Sequence, residues 1–250
     1  MPWVTRVSED TSAGTAILQV KAIDGDHGLN VPIRYALSGG GAHTDHFTMD
    51  AVDGTVYLTE RVDREDVQLS NSAVVMTVTA SEASGRNVTT QISVLILDVN
   101  DQRPTFADAT YRAVIDENSP LNMPVTFLAD GSGSPARPTV FDYDLAANGT
   151  FELSIRCEDG DLFDVSPTLV VNEAEFGVRV RNQSALDYER IQVVDCVVTA
   201  RELLVVAERK SSSVRLSIAV RDVNDNVPQF SLDAYHVLDR ISFTLSLLFY

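Results

Sequence analysis

Short apolar segments separated by polar, glycine-containing turns run along most of the chain. Residues 16–22, 74–80, 92–97, 193–199 and 214–220 are rich in β-branched residues or alternate between apolar and polar positions. Turns interrupt such segments at intervals of about ten residues, a spacing typical of all-β sandwiches. No segment keeps the periodicity of about 3.6 residues that an amphipathic helix requires. The pattern therefore predicts an all-β protein.

The chain also contains an internal repeat, which is the signature of tandem domains. Four acidic markers occur twice in the same order, at separations of 124, 124, 118 and 108 positions. The pairs are residues 98–101 and 222–225, residues 63–65 and 187–189, residues 24–30 and 142–148, and Glu9 and Glu117. Because the order is kept while the spacing drifts, we expect one domain over residues 1–103 and a second over 104–228. Residues 229–250 then begin a third repeat that is truncated or diverges.

The charge balance narrows the class of partner. The 250 residues include 36 acidic and 19 basic side chains, for a net charge of −17, while 44% of residues are hydrophobic. This hydrophobic fraction suits a packed core. Such an excess of negative charge repels phosphate backbones and anionic membrane surfaces, which excludes nucleic acid as a partner. Solvent or bound cations must balance the acidic charge.

The repeated carboxylates fall at strand ends and turns, without histidine or cysteine among them. Oxygen-only ligands in this number suit a hard cation that takes six to eight oxygens, which favours Ca²⁺ over Mg²⁺ and Zn²⁺. In the Asp-x-Asn-Asp motif the carboxylates supply charge and the asparagine amide supplies a neutral oxygen. Acidic turn residues also occur simply because they are well solvated. The ordered repetition of four marker types favours a metal.

These residues resemble the extracellular repeats of the cadherin family. The resemblance rests on Glu9, residues 63–65, residues 98–101 and residues 142–144, and it covers roughly residues 1–230. It implies tandem seven-stranded Greek-key β-sandwiches of immunoglobulin-like architecture, joined by calcium-binding linkers with three Ca²⁺ ions each. Trp3 stands in the register of Tyr111, an ordinary first-strand aromatic, which favours a long, non-classical member.

The resemblance also implies the calcium ligands. Side-chain oxygens at the first junction would come from Glu9, Asp63, Glu65, Asp98, Asn100, Asp101, Asp142, Asp144 and Glu202. Backbone oxygens would come from Val99, Gln102 and Asn148. A half-site for a preceding repeat would contain Asp24, Asp26, Asn30 and Glu82. The opposite half-site, for a following repeat, would contain Glu117, Asp187, Glu189, Asp222, Asn224, Asp225 and Asn226.

The chain departs from the family's pattern at a few positions. Gln102 replaces the usual asparagine, which matters little because the ligand there is a backbone oxygen. Glu82 and Glu202 replace the usual aspartate, and the longer side chain bears on the affinity of the third calcium site. Ala146 stands where the loop after Asp144 usually has glycine, which bears on that loop's backbone.

Cysteine and asparagine residues indicate covalent modification outside the cell. The two cysteines, Cys157 and Cys196, form no Cys-x-x-Cys pair, which excludes a zinc ribbon or a thioredoxin-like centre. Under the resemblance they fall on neighbouring strands, where an extracellular location favours a disulfide; two buried free thiols are the alternative. Asn87 and Asn182 begin glycosylation sequons in expected surface loops.

The resemblance implies calcium-dependent cell–cell adhesion at the outer side of the plasma membrane, with other cadherin molecules as homophilic or heterophilic partners. A calcium-stiffened spacer or tether that binds a different protein is the first alternative. A calcium-dependent hydrolase is the second, but no Ser-His-Asp set, P-loop or dinucleotide motif supports an enzyme or a small-molecule substrate. Neither a signal peptide nor a membrane-length apolar segment is visible, so we expect the membrane anchor outside this chain.

Overall fold

Strands occupy most of the folded chain. The structure, a computed structural model, describes residues 3–25, 31–39, 41–65, 73–129, 137–203 and 209–228. Within these ranges the helical segments are the short 3₁₀ turns Gly41–His46 and Gln183–Ala185. No helix among the described residues is long and apolar enough to cross a membrane. Asp26, Asn30 and the expected third repeat at 229–250 lie outside the described residues.

The strands before residue 98 form one β-sandwich, here the first sandwich. They are β1 (Trp3–Ser8), β2 (Ala16–Gln19), β3 (Arg34–Gly39), β4 (Phe47–Met49), β5 (Thr55–Leu58), β6 (Ala73–Ser81) and β7 (Asn87–Leu97). One sheet has the order β1-β7-β6-β3 and the other has the order β2-β5-β4. Strand β1 pairs with β7 in parallel, while the neighbouring β6–β7 and β3–β6 pairs are antiparallel.

Alternation along the strands builds the core of the first sandwich. In β6, Val74, Met76 and Val78 are buried while the residues between them are more exposed. Ile92 and Val94 on β7 are fully buried beside them. Because successive strand residues point to opposite faces, this period of two places the apolar side chains between the sheets.

The strands after residue 104 form the second sandwich. They are β8 (Thr105–Phe106), β9 (Thr110–Asp116), β10 (Thr126–Leu128), β11 (Thr139–Phe141), β12 (Thr150–Cys157), β13 (Phe163–Ser166), β14 (Leu169–Val171), β15 (Glu173–Glu175), β16 (Gly177–Val180), β17 (Val193–Glu202) and β18 (Ser211–Arg221). The largest sheet has the order β10-β9-β18-β17-β12-β14, and the smaller sheets are β15-β11-β8 and β13-β16. The all-β prediction is confirmed, although in the second sandwich several strands are split into short segments.

The two first strands keep the same register but bury their aromatic residues differently. Trp3 pairs with Ile92 and Tyr111 with Leu216, each in a parallel ladder, so the predicted equivalence of Trp3 and Tyr111 holds. Tyr111 is 4% exposed because Phe127 and Phe176 pack edge-on against its ring. Trp3 stays 44% exposed at the edge of its sandwich.

Candidate metal centre

The acidic residues gather where the first sandwich ends and the second begins. Parallel pairing of β1 with β7 places Ser8 beside Leu97, so the segments that follow both strands leave the sheet at the same edge. The backbone N–H of Glu9 continues this ladder and donates to the carbonyl of Leu97 at 3.1 Å. Strand pairing therefore brings Glu9 to the linker that begins at Asp98.

Glu9 ties three segments together. Its side chain is buried, and Oε2 accepts a hydrogen bond from the backbone N–H of Arg64 at 2.9 Å. Its Oε1 accepts a hydrogen bond from the backbone N–H of Val99. In the second sandwich Glu117 repeats this arrangement, because it accepts from the backbone N–H groups of Tyr188 at 2.8 Å and Val223 at 2.7 Å. The sequence repeat is thus also a repeat of local structure.

Carboxylate oxygens at this junction form three linked groups among the described residues, and within each group one oxygen per residue lies within 4.8 Å of the others. The groups are Glu9, Glu65 and Asp101; Glu65, Asp98 and Asp144; and Asp142, Asp144 and Glu202. Because Glu65 and Asp144 are each shared, the groups form a continuous series from the first sandwich to the second. We call them the first, second and third clusters in that order.

Several of these oxygens are buried without a hydrogen-bond partner. They are Oε2 of Glu65, Oδ2 of Asp142 and Oε1 of Glu202. Asp142 is only 2% exposed and Glu202 only 1%. Leaving a buried polar group unsatisfied costs about 1–3 kcal/mol, and more when the group is charged. An oxygen-binding cation would remove this cost, so the residues present fit a metal such as Ca²⁺.

Burial also raises the pKa of the carboxyl groups at the junction. Desolvation raises the pKa of Glu65 to about 8; the nearby Arg64 opposes the rise and Glu9 adds to it. Desolvation likewise raises the pKa of Asp144 to about 6, while the backbone N–H of Gln102 opposes the rise and the charge of Asp142 adds to it. The pKa of Asp142 is also raised, mainly by burial. Without metal, this space favours protonated carboxyl groups.

Hydrogen bonds join the linker directly to the second sandwich. Asp98 accepts from the backbone N–H of Leu145 at 3.0 Å and from Nδ2 of Asn148 at 2.8 Å. The backbone N–H of Gln102 donates to both carboxylate oxygens of Asp144 at 3.2 Å. From the first sandwich, the guanidinium of Arg64 contacts Asp98, Glu65 and the carbonyl of Tyr143.

A lysine that sequence reasoning missed lies beside the third cluster. The ammonium of Lys210 donates to the carbonyl oxygen of Asn100 at 2.7 Å and to its Oδ1 at 3.2 Å. Nδ2 of Asn100 donates to Oε2 of Glu202 at 3.0 Å. No sequence marker pointed to Lys210, because its position depends on the pairing of β17 with β18, next to which the backbone N–H of Glu202 donates to the carbonyl of Lys210.

The loop that carries Asp142 and Asp144 depends on backbone geometry. Ala146, at the usual glycine position, has a φ of 47°, so the loop keeps a left-handed residue there despite the side chain. A Cβ at Gly149 would lie 2.3 Å from the carbonyl oxygen of Asp144 and 2.7 Å from Nδ2 of Asn172. Only glycine therefore fits at position 149, which sequence reasoning did not single out.

The predicted half-site for a following repeat is partly assembled. Glu117, Asp187 and Glu189 place oxygens within 4.8 Å of one another. Nδ2 of Asn226 donates to Glu189 at 2.6 Å and to Asp225 at 2.9 Å. Asp222 and Asn224 are exposed and belong to no carboxylate group among the described residues.

Other predicted ligands are not members of the three clusters. Oδ1 of Asp63 accepts from the backbone N–H of Glu65 at 2.9 Å, which positions the motif, but Asp63 joins no cluster among the described residues. Of the half-site for a preceding repeat, Asp24 and Glu82 are described and form no carboxylate cluster there. Oε2 of Glu82 accepts from the hydroxyl of Ser84 at 3.0 Å.

The predicted disulfide lies in the second sandwich, and the two predicted glycosylation sites lie at exposed positions, one on each sandwich. A disulfide joins Cys157 to Cys196, which are directly opposite each other on the adjacent strands β12 and β17. Asn182 and Asn87 are exposed, although Asn87 begins strand β7 and does not lie in a loop. Asn148, which begins a third sequon, uses its side-chain amide to bind Asp98. Glycosylation itself stays a prediction.

Two β-sandwiches joined at a cluster of buried carboxylates indicate a protein built from tandem β-sandwich repeats. Residues 4–99 match the family model for the cadherin domain, so this part of the chain is a cadherin domain, and the chain as a whole is similar to cadherins. It is similar to Cadherin-86C of Drosophila melanogaster, with 34% identity over 94% of this chain and 12% of that protein. The chain therefore spans a small part of that relative.

Solved cadherin structures share the fold. Mouse cadherin-23 EC22-24 has a TM-score of 0.66 and 27% identity, covering 92% of this chain and 67% of that one. The protocadherin gammaB7 EC3-6 cis-dimer structure has a TM-score of 0.63 and 25% identity, covering 93% of this chain and 49% of that one. The expected cadherin-like, immunoglobulin-like β-sandwich architecture is confirmed.

Proposed function

We propose that this chain is a calcium-binding part of a cell–cell adhesion protein. The observation that carries the proposal is the continuous series of carboxylate clusters across the junction, with buried oxygens that have no hydrogen-bond partner. Calcium would bind there at extracellular concentrations, since modules of this kind have dissociation constants of about 10⁻⁴ to 10⁻³ M. The domain boundaries at 103/104 and 228 belong to the same proposal.

The chain's own residues would hold the ions. Carboxylates of the three clusters would supply charge, while Asn100 and the backbone oxygens of Val99, Gln102 and Asn148 would supply neutral ligands. Bound Ca²⁺ supplies the positive charge that offsets the mutual repulsion of these carboxylates. Without it, each pair at ~4 Å repels by about 1 to 4 kcal/mol, depending on the effective dielectric constant. Calcium would therefore hold the two sandwiches in a fixed arrangement.

The match to the cadherin domain and the similarity to cadherins support adhesion at the outside of the plasma membrane, with other cadherin molecules as partners, and favour this role over a hydrolase. The similarity to a protocadherin solved as a cis-dimer supports contacts between cadherins in general.

Bead aggregation tests the adhesive role. We expect beads coated with the full chain to aggregate in millimolar Ca²⁺ and to disperse in chelator. Asp98→Asn should abolish aggregation, because Asp98 belongs to the second cluster and binds the second sandwich. Asp164→Asn, at an exposed position of strand β13, is the matched control and should aggregate normally. Equal aggregation in calcium and chelator would contradict the proposal.

A calcium-stiffened spacer is the second candidate, and the net charge of −17 favours it. Two identical copies with this charge repel each other at long range. A spacer would bind calcium and become more compact without aggregating identical beads. Small-angle scattering separates this case: the spacer predicts calcium-dependent compaction that Asp101→Ala reduces, together with no aggregation of identically coated beads.

A further inference from the structure

Lys210 brings a positive charge into the proposed calcium junction. Its ammonium contacts both oxygens of Asn100, at 2.7 and 3.2 Å, and its backbone N–H donates to Oε2 of Glu202 at 3.1 Å. Lys210 is partly buried, whereas the chain's other lysine, Lys21, is exposed in the first sandwich. The ammonium is therefore held at the junction and does not extend into solvent.

The contacts of Lys210 use the neutral oxygen that a third ion would need. The third cluster offers carboxylates from Asp142, Asp144 and Glu202, and calcium requires six to eight oxygens in all. Asn100 is the neutral side-chain ligand expected there, yet its Oδ1 accepts from Lys210 and its Nδ2 donates to Glu202. An ammonium and a divalent cation cannot both occupy this space without strong repulsion.

Lys210 also acts electrostatically on the same carboxylates. Burial raises the pKa of Asp142 and Asp144, and the positive charge of Lys210 opposes the rise in both. The lysine thus supplies part of the positive charge that a metal ion would supply at the third cluster. Because it is covalently attached, its effective concentration is of millimolar order or higher, comparable to extracellular calcium.

The same combination occurs in the first sandwich. The backbone N–H of Glu82 donates to the carbonyl of Arg86 at 2.9 Å, just as that of Glu202 donates to the carbonyl of Lys210 at 3.1 Å. In both hairpins a glutamate stands where the family usually has aspartate, and a basic residue stands opposite it. The two hairpins thus share the backbone hydrogen bond, but Arg86 is exposed whereas Lys210 is partly buried at the junction.

We propose that Lys210 is a tethered competitor for the third calcium ion. This inference rests on the proposed calcium junction. In the calcium-free state the ammonium binds Asn100, and the third ion must displace it. The third cluster therefore fills last, at a higher calcium concentration than the first and second clusters.

Calcium titration of the full chain by calorimetry tests this directly. We expect wild-type protein to bind a third ion at least tenfold more weakly than the first two. Lys210→Met keeps a long side chain but removes the charge. It should raise the affinity for the third calcium ion at least tenfold and leave the affinities for the first two ions unchanged. Lys210→Arg and Lys21→Met should both behave as wild type.

Amine reactivity gives a second readout that needs no variant at the junction. Trace acetylation followed by mass spectrometry should show Lys210 reacting more slowly than Lys21 without calcium. Its reactivity should rise toward that of Lys21 as the third ion binds. Equal reactivity without calcium, or a third step that Lys210→Met leaves unchanged, would overturn the inference but spare the calcium junction. Absence of any calcium binding would overturn both.

Discussion

Glu65 shows at the scale of one residue what happens when carboxylates crowd into a protected space. It belongs to both the first and second clusters, its side chain is 10% exposed, and one oxygen has no hydrogen-bond partner. Desolvation raises its pKa to about 8, from the ordinary value of 4.5. Proton binding and metal binding therefore compete for the same oxygens.

This competition predicts a pH dependence of the metal-free protein. Because the folded-state pKa of Glu65 is above its unfolded value, the folded state binds more protons between pH 4.5 and about 8. The free energy of unfolding in chelator should therefore fall as pH rises through that window. Asp144, whose pKa is raised to about 6, adds to this fall in the lower part of the window. Melting temperatures between pH 5 and 8.5 would measure it.

Glu65→Gln is the informative variant, because its amide resembles the protonated carboxyl group. It should remove much of the pH dependence and stabilise the metal-free protein at pH 8. Glu152→Gln, on the exposed face of β12, should keep the wild-type dependence. A metal-free protein that becomes more stable from pH 6 to 8 would contradict the assignment.

The repeated markers explain why so much of the site could be predicted residue by residue. Glu9, Glu65, Asp98, Asp144 and Glu202 were expected together, and all five join a cluster. Lys210 could not be found this way, since its position depends on the hairpin between β17 and β18 and on a contact with the linker. Asp63 accepts from the backbone N–H of Glu65, and its role as a ligand stays a prediction.

At the scale of elements, a loop and a strand pair determine how the acidic side chains are presented. The sequence predicted strands well because alternation reports burial directly, as in β6 and β18. It did not predict the splitting of the second sandwich into short strands, since turn residues within a β segment look like those between segments. The requirement for Gly149 is a contact with the backbone of Asp144, which no local pattern reveals.

Gly149→Ala should weaken calcium binding without removing a ligand. The new Cβ would lie 2.3 Å from the carbonyl oxygen of Asp144, so the loop must move and carry Asp142 and Asp144 with it. We expect calcium affinity to fall at least tenfold in calorimetric titration. Gly177→Ala, in strand β16 of the second sandwich, is the matched control, because its new Cβ would meet its nearest atom, the carbonyl oxygen of Ser166, at 4.0 Å. Unchanged affinity in Gly149→Ala would show that the loop geometry does not matter.

The disulfide should stabilise the second sandwich alone. Its 39-residue separation corresponds to about 4 kcal/mol in the chain-entropy model. In chelator, where calcium does not couple the two sandwiches, the double variant Cys157→Ala/Cys196→Ala should lower the urea midpoint followed by circular dichroism. The first sandwich contains the only tryptophan, Trp3, and no cysteine, so its fluorescence transition should not move. An equal decrease of the urea midpoint in circular dichroism and in fluorescence would mean that the sandwiches do not unfold separately.

At the scale of the whole molecule, the junction decides whether two sandwiches behave as one unit. Each sandwich has its own hydrophobic core. Hydrogen bonds connect them at the junction, such as those of Asp98 with Asn148 and of Arg64 with the carbonyl of Tyr143. The sequence indicated this arrangement because the acidic markers sit at the ends of domains. It could not indicate an adhesive partner, since the markers specify a metal site and no recognition surface.

A thermal melt of the full chain in chelator and in increasing Ca²⁺ or Mg²⁺ tests the central claim, that calcium at the junction couples the two sandwiches. A ligand that binds only the native state raises apparent stability by RT ln(1 + [L]/Kd). We predict that melting temperatures rise as calcium approaches about 1 mM, and that Trp3 fluorescence and circular dichroism then report one transition. Magnesium at equal concentration should have little effect. No shift with calcium, or an equal shift with magnesium, would contradict the account.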